Sequence, residues 1–361
     1  MLFDDIDFGK ILYRLLVDDD ITDIMIWAAD IWITNIKHGH YRFNIEDQEI
    51  ADIKEFHLLL TKIPRQLAIR MGKSYNDASP IIDGEALYEH LGQLRFNIIH
   101  ESLTEDGYPA IAIRKTLYQL RMNSLNIIEN KYADDSFIAL MQTLVDAGCN
   151  IMIAGETGSG KTELLRYIAQ WIRENEAVIT IEDTLEVYLK RLYPSKNILS
   201  LKSSRKMGFD SLLRACLRQN PDWICVSETR GKEVLELNEA VGTGHKLLST
   251  LHTDSARNIP YRMLNMGKLH EADAERVFKQ IHHNINIGIH ICYNNDGYSS
   301  RYINEICEFY LDKSNKPITH VIYAYDHKTH SYKTDKILSP QIITKFMQKQ
   351  SDFTNIEGVF I

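Results

Sequence analysis

The sequence predicts an α/β protein in two parts: a mostly parallel sheet with helices on both faces, preceded by a smaller α+β domain. Three observations carry this. From residue 134 onward, short apolar runs alternate with stretches of helical period, as expected of strand–helix units in a parallel sheet. The glycine-rich turn "GETGSGKT" joins the first of those runs to a helical stripe. The first third reads instead as alternating strands separated by turn residues.

In chain order, Phe8, Ile11, Leu12, Leu15 and Leu16 repeat at helical spacing, and "DDD" at Asp18–Asp20 ends that helix. "ITDIMI" follows as a strand, and "DIWITNIKHGHYRFN" as a hairpin turning near Gly39. Helical stretches flank Pro64. Two further strands, "GQLRFNIIHES" and "YPAIAIRKT", alternate so that Arg95 and Arg114 face away from Leu94, Phe96, Ile98, Ile111 and Ile113. The expected first domain is 1–116. "LYQLRMNSLNIIENKYA", residues 117–133, has no clean period and reads as a linker.

The second domain, 134–361, opens with Asp134, Asp135 and Ser136 as cap candidates for a helix that Gly148 ends. The strand runs are then "NIMIAG", "AVITIED", "DWICVSE", "KLLSTLH" and "INIGIHICY", with an antiparallel addition from "SSRYINEICEFY" to "THVIYAYDHKTHSYKTD".

Composition narrows the class. With 44% hydrophobic and 25% charged residues the 361-residue chain reads as soluble and globular, and a net charge of −8 speaks against stable direct nucleic-acid binding. No apolar run approaches the roughly 18 residues of a spanning helix. The acidic start "MLFDDIDFGK" lacks a leader pattern, so the expected location is cytoplasmic, with membrane association through partners. Cys149, Cys216, Cys225, Cys292 and Cys307 form no CxxC or zinc spacing and are expected as reduced thiols.

The chemistry concentrates in four segments. Gly155, Glu156, Thr157, Gly158, Ser159, Gly160, Lys161 and Thr162 match GxxxxGK[ST] between a strand and a helix. Glycines there let successive N–H groups face a polyphosphate at a helix N-terminus. Lys161 then reaches the β- and γ-phosphates, and the Thr162 hydroxyl ligates Mg²⁺. "TIEDTLE" places Glu182, Asp183 and Glu186 at a strand's carboxyl end. Those acids suit holding Mg²⁺ through water or polarising a water, or simply make a solvated turn. "RQNPDWICVSETRG" ends its strand at Glu228, the candidate for orienting the attacking water. The aspartate usual before that glutamate is Ser227 here. In "GTGHKLLSTLHTDS", His245 and His252 border one strand; they are γ-phosphate sensors or ordinary satisfied histidines. Arg95, Arg114, Arg214 and Arg218 are candidates for meeting phosphoryl charge, in cis or from a neighbouring subunit.

These four segments, in this order, resemble the secretion ATPases of type II and type IV secretion, tight-adherence pili and type IV pili: phosphate loop, aspartate box, atypical Walker B and histidine box, with "LRFNII" and "AIRKT" in the places of the arginine segments. The resemblance implies a hexameric ring of RecA-like P-loop ATPase domains, each with a hinged N-terminal domain, using ATP and Mg²⁺ against inner-membrane secretion or pilus platform proteins. By position it assigns Arg95, Arg114 and Arg218 to phosphate contacts, His245 and His252 to the histidine box, and Glu186 and Glu228 to the acids. It also relieves the missing Walker B aspartate, because the family generally carries glycine there; Ser227 is a small departure. The tetracysteine insert and long N-terminal extension of the type II secretion branch are absent, "IRKT" and the irregular linker favour the type IV secretion and tight-adherence branch, and "TLHTDSA" leans toward pilus motors. Other readings are a nucleotide-gated assembly protein that hydrolyses little and, with less support, a small-molecule kinase.

Overall fold

The computed structural model describes residues 6–28, 30–44, 53–88, 91–116, 118–204, 206–267, 271–294, 300–335 and 337–349. Leu117, the first residue of the expected linker, and both chain ends lie outside the described residues. The chain divides into two compact units, with the boundary between Gln119 and Leu120.

In the first unit, helix α1 (Gly9–Val17) buries Ile11, Leu12, Leu15 and Leu16, the stripe that its spacing sets. Strands β1 (Ile21–Trp27), β2 (Asp30–Asn35) and β3 (Gly39–Phe43) form a meander. After α2 (Ile53–Arg70) come β4 (Ile81–Tyr88), β5 (Gly92–Ile99) and β6 (Ala110–Thr116), giving an antiparallel sheet of order β3-β2-β1-β6-β5-β4. Ile24, Ile26, Leu94, Phe96, Ile98, Ile111 and Ile113 share one core with residues of both helices. The helical pattern around Pro64 resolves as one helix and not two. Proline removes a backbone donor there, but Leu60, Ile63, Leu67 and Ala68 are all buried in the same core, so tertiary packing carries the helix across.

In the second unit, residues read as a periodless linker contain helix α3 (Ser124–Glu129). An Asn123–Asn126 capping box starts it, and Ile127 is buried in the unit's core. Six residues carrying one buried side chain are too few to show a period. Helix α4 (Asp135–Asp146) is capped by Asp134, whose side chain accepts from Phe137 N. Next come β7 (Ile151–Gly155), α5 (Lys161–Ile168), β8 (Val178–Glu182), α6 (Leu189–Leu192), β9 (Ile198–Lys202), α7 (Phe209–Leu217), β10 (Trp223–Val226), α8 (Glu233–Gly242), β11 (Lys246–Leu251), α9 (Ile259–Gly267), α10 (Glu271–Asn284) and β12 (Ile287–Asn294). An antiparallel extension of β13 (Ser300–Leu311), β14 (Pro317–Asp326) and β15 (Ser331–Thr334) follows, then α11 (Pro340–Lys349).

The sheet order is β15-β14-β13-β12-β7-β11-β10-β8-β9, parallel from β12 to β9. Because side chains alternate across a strand, Ile151 and Ile153 of β7 enter one core while Met152 and Ala154 enter another on the opposite face. This is the expected α/β layering. Four cysteines are buried and Cys292 is half-buried, all as free thiols; burial raises Cys149 and Cys216 to about 12, leaving them unreactive at neutral pH.

Gly288, on β12 beside β7, is closely packed. A Cβ there would meet Ile259 Cδ1 at 2.7 Å and Phe309 Cζ at 2.8 Å. Gly288→Val is therefore expected to destabilise the protein by about 1–3 kcal/mol through overpacking. A chemical-denaturation midpoint no lower than that of the wild type would refute this.

Candidate nucleotide-binding and hydrolysis site

Since β7, β11, β10 and β8 run the same way, their carboxyl ends meet at one edge of the sheet. β7 delivers the loop. Gly155, Gly158 and Gly160 have φ of 152°, 79° and 97°, conformations that side-chain-bearing residues rarely adopt. A Cβ on Gly155 would lie 2.6 Å from Ser159 Oγ and 2.7 Å from the Ile291 carbonyl oxygen, so the loop closes tightly against β12. Glu156, Thr157 and Gly158 are exposed, whereas Ser159 is fully buried. Among the described residues the Ser159 hydroxyl has no hydrogen-bond partner. Thr162 is half-buried in the first turn of α5. An open recess of about 510 Å³ is lined by Gly155, Glu156, Thr157, His252, Thr253 and Asp254.

One chain of close polar contacts crosses this edge. The Lys161 ammonium donates to the carbonyls of Gly155 (2.9 Å) and Glu156 (2.8 Å) and lies 3.3 Å from His252 Nδ1. His252 Nε2 is 3.1 Å from Glu228 Oε1, and Arg230 donates to Glu228 Oε2 at 2.7 Å. Burial lowers Lys161 to about 8 against the opposing charge of Glu228. Burial, then the charge of Lys161, also lowers His252. A lysine only donates, so in the neutral imidazole Nδ1 accepts and the proton sits on Nε2, facing the carboxylate. Burial pushes Glu228 up, but the hydrogen bond and charge of Arg230, with His252 and Lys161, more than offset it, and Glu228 stays below the usual range. At neutral pH it is an ionised acceptor beside the phosphate loop, as a water-orienting base requires.

The β8 acids divide. Glu182 is 1% exposed, and its carboxylate accepts the backbone N–H groups of Glu186 (2.8 Å) and Val187 (2.9 Å). Burial pushes it up to about 7, against those amides. It organises the turn and does not present itself to the recess. Asp183 is exposed and accepts from Ser203 Oγ at 2.6 Å; Glu186 is half-buried, and both act on the charge of Arg230.

Three sequence-selected residues of the second unit, His245, Arg218 and Arg214, take no part in these contacts. His245 precedes β11, where its Nδ1 is 2.8 Å from the Pro221 carbonyl oxygen. Arg218 is exposed at the end of α7, just before β10. Both sit at the amino edge of the parallel strands, the length of β11 or about 20 Å from the loop. They are not brought to the phosphate loop of their own chain. Arg214 is also exposed and pairs with Glu236 at 3.4 Å. In the first unit, the strand registers place Asp23, Arg114, Arg95 and Glu85 in one row across β1, β6, β5 and β4. Arg114 Nε donates to Asp23 at 2.7 Å. Acids at both ends of the row offset the adjacent guanidinium charges.

Two arginines escaped the sequence reading. Arg230 carried a signal, two residues after Glu228 in "SETRG". Arg301 had none: it lies 143 positions beyond Gly158, whose carbonyl accepts from its Nε at 3.0 Å, and its guanidinium is 4.6 Å from the Tyr293 ring centre. Only the β12–β13 pairing beside β7 brings it there.

The family described as Type II/IV secretion system protein matches residues 92–350. The chain belongs to that family. An uncharacterised Bacillus anthracis protein is 30% identical over 283 residues, 78% of this chain and 61% of that protein. The chain therefore spans under two thirds of that relative. A putative conjugal transfer protein of Mycobacterium tuberculosis is 26% identical over 298 residues, covering 80% of this chain and 81% of its own length. Among solved structures, a pilus retraction motor, PilT with bound ADP, shares the fold with a TM-score of 0.59 at 17% identity, covering 97% of this chain and 89% of that one. The secretion ATPase fold, a RecA-like P-loop domain with an N-terminal domain, is thus the one described above. No helix among its described residues is long and apolar enough to cross a membrane.

The donor set of this family member fits a nucleotide polyphosphate: an ammonium, loop amides at a helix start, an unpartnered buried hydroxyl, and acids across from them. Phosphate favours the ammonium form of Lys161, which the free protein loses as pH rises through about 8. Affinity for a fluorescent nucleotide is therefore expected to be flat below that pH and to weaken above it, by at most about tenfold per pH unit. Lys161→Arg, which stays charged, should abolish the dependence. Identical profiles for the two proteins would refute this.

Proposed function

We propose that the chain is a MgATP-hydrolysing motor subunit that works as a homo-hexameric ring at the cytoplasmic face of a membrane secretion machine. The observation that supports it most is the Lys161–His252–Glu228 chain, which joins the phosphate-binding lysine to the water-orienting acid through one imidazole. In this reading Lys161 and the loop amides hold the β- and γ-phosphates, and Thr162, with Asp183 through water, holds Mg²⁺. The metal supplies charge neutralisation for the transferring phosphoryl group. Glu228 orients the attacking water, and Glu186 supports the acidic turn that Glu182 fixes. His252 trades its Lys161 contact for the γ-phosphate and reports that change to Glu228.

Arg95 and Arg114 contribute guanidinium charge from the N-terminal domain, so that nucleotide state biases the domain arrangement. In a ring, Arg218 and His245 have to serve a neighbouring subunit's nucleotide, because they stand at the opposite edge from their own loop. A secretion or conjugation machine is the favoured assembly, in line with the mycobacterial relative, a putative conjugal transfer protein. The membrane partners are inner-membrane platform proteins.

The decisive experiment is turnover of the purified protein. Lys161→Ala is expected to lose nucleotide binding and hydrolysis together. Glu228→Gln should bind ATP normally and hydrolyse it at least about a hundredfold more slowly. Full turnover by Glu228→Gln would exclude it as the orienting base. A wild type that binds ATP and forms rings without turnover would leave the nucleotide-gated assembly protein as the function.

A further inference from the structure

Arg230 is unassigned by the motif reading, yet it makes the shortest contact to the proposed base. Its Nη2 lies 2.7 Å from Glu228 Oε2, while Glu228 Oε1 faces His252 Nε2 at 3.1 Å. Glu228 is thus held at both oxygens from opposite sides, by its own loop and by the end of β11. A glutamate side chain has three torsions, so a contact that holds one carboxylate oxygen restricts the direction in which the other points. The groups facing Glu228 are Arg230 on its own loop, His252 after β11 and Lys161 on α5; Asp183 and Glu186 from the β8 turn act on Arg230 in turn. Arg230 is itself held from behind: its backbone N–H donates to Glu233 Oε1 at 2.7 Å, as does that of Gly231.

We infer that Arg230 is a positioning residue for hydrolysis: its guanidinium pins Oε2 of Glu228 so that Oε1 is the oxygen presented, through the His252 side, to the phosphate loop. The inference rests on the proposed hydrolytic reading. Each oxygen still has a lone pair for water, because a carboxylate accepts about four hydrogen bonds. The guanidinium also keeps the partly buried acid ionised. Lysine in its place retains the charge but not the planar donor geometry.

The test compares Arg230→Gln and Arg230→Lys with the wild type. Arg230 is exposed and, among the described residues, its side chain pairs with Glu228 alone, so both variants should fold; thermal melts and ring size check that. Arg230→Gln is expected to lose about a hundredfold in kcat, the scale of a misaimed catalytic group. Its nucleotide dissociation constant should stay within about twofold. The acid limb of its pH–rate profile should move to higher pH, because Glu228 loses its cation. Arg230→Lys should restore the position of the acid limb and only part of kcat.

A carboxyl titration of Glu228 by ¹³C NMR, assigned with Glu228→Gln, reads the same contact without turnover. A higher Glu228 titration midpoint in Arg230→Gln supports the contact even in a protein that never hydrolyses ATP, where only the hydrolytic reading would fail. An unchanged midpoint, wild-type or faster turnover in Arg230→Gln, or a loss explained wholly by weaker nucleotide binding would each overturn the inference.

Discussion

Everything at the candidate site depends on β7 being paired in parallel on both sides. Leu251 of β11 stands beside Ala154, and Ile291 of β12 beside Gly155. The first register sets His252 next to the loop that follows Gly155; the second sets the Ile291 carbonyl where only a glycine fits. Parallel pairing also sends β8 and β10 to the same edge, so acids 46 residues apart in sequence, Glu182 and Glu228, end on one rim. Strands buried on both faces cannot slip without moving their apolar side chains into the wrong layer. The site therefore inherits its precision from hydrophobic packing.

Charge is handled by pairing within that frame. Lys161 is largely buried, yet its three donors are taken by two carbonyls and an imidazole, and Glu228 lies between Arg230 and His252. Each cation has an acceptor, which is the condition for burying charge near a core. The arrangement is also replaceable. Carbonyls and imidazole hold the ammonium through neutral acceptors, weaker partners for a cation than an anionic group would be. The contact between Glu228 and Arg230 is a charged pair and less readily displaced. Glu182 differs from both: it is spent on two backbone amides, and its part is to shape the turn that carries Asp183 and Glu186.

Sequence alone showed the layered α/β class, the glycine-rich turn between a strand and a helix, the acids at strand ends and the antiparallel extension, because each is written in local patterns. Alternation showed Arg95 and Arg114 on one face of their strands, and the strand-to-helix change around the glycines gave the loop its context. Short helix α3 and the continuous helix across Pro64 were illegible, since both hold through tertiary burial and not through period. Spacing also could not tell His245 from His252. They flank one strand, and only the direction of that strand in the sheet puts one at the phosphate loop and the other at the far edge.

Partnership belongs to the tertiary structure for the same reason. That His252 bridges Lys161 and Glu228, that Arg230 holds the second oxygen of Glu228, and that Arg301 reaches Gly158 from the next hairpin all follow from strand order and register. Local sequence determines which groups can do phosphate chemistry; long-range pairing decides which of them meet, because contacts across a sheet are fixed by neighbours that the chain reaches only after tens of residues.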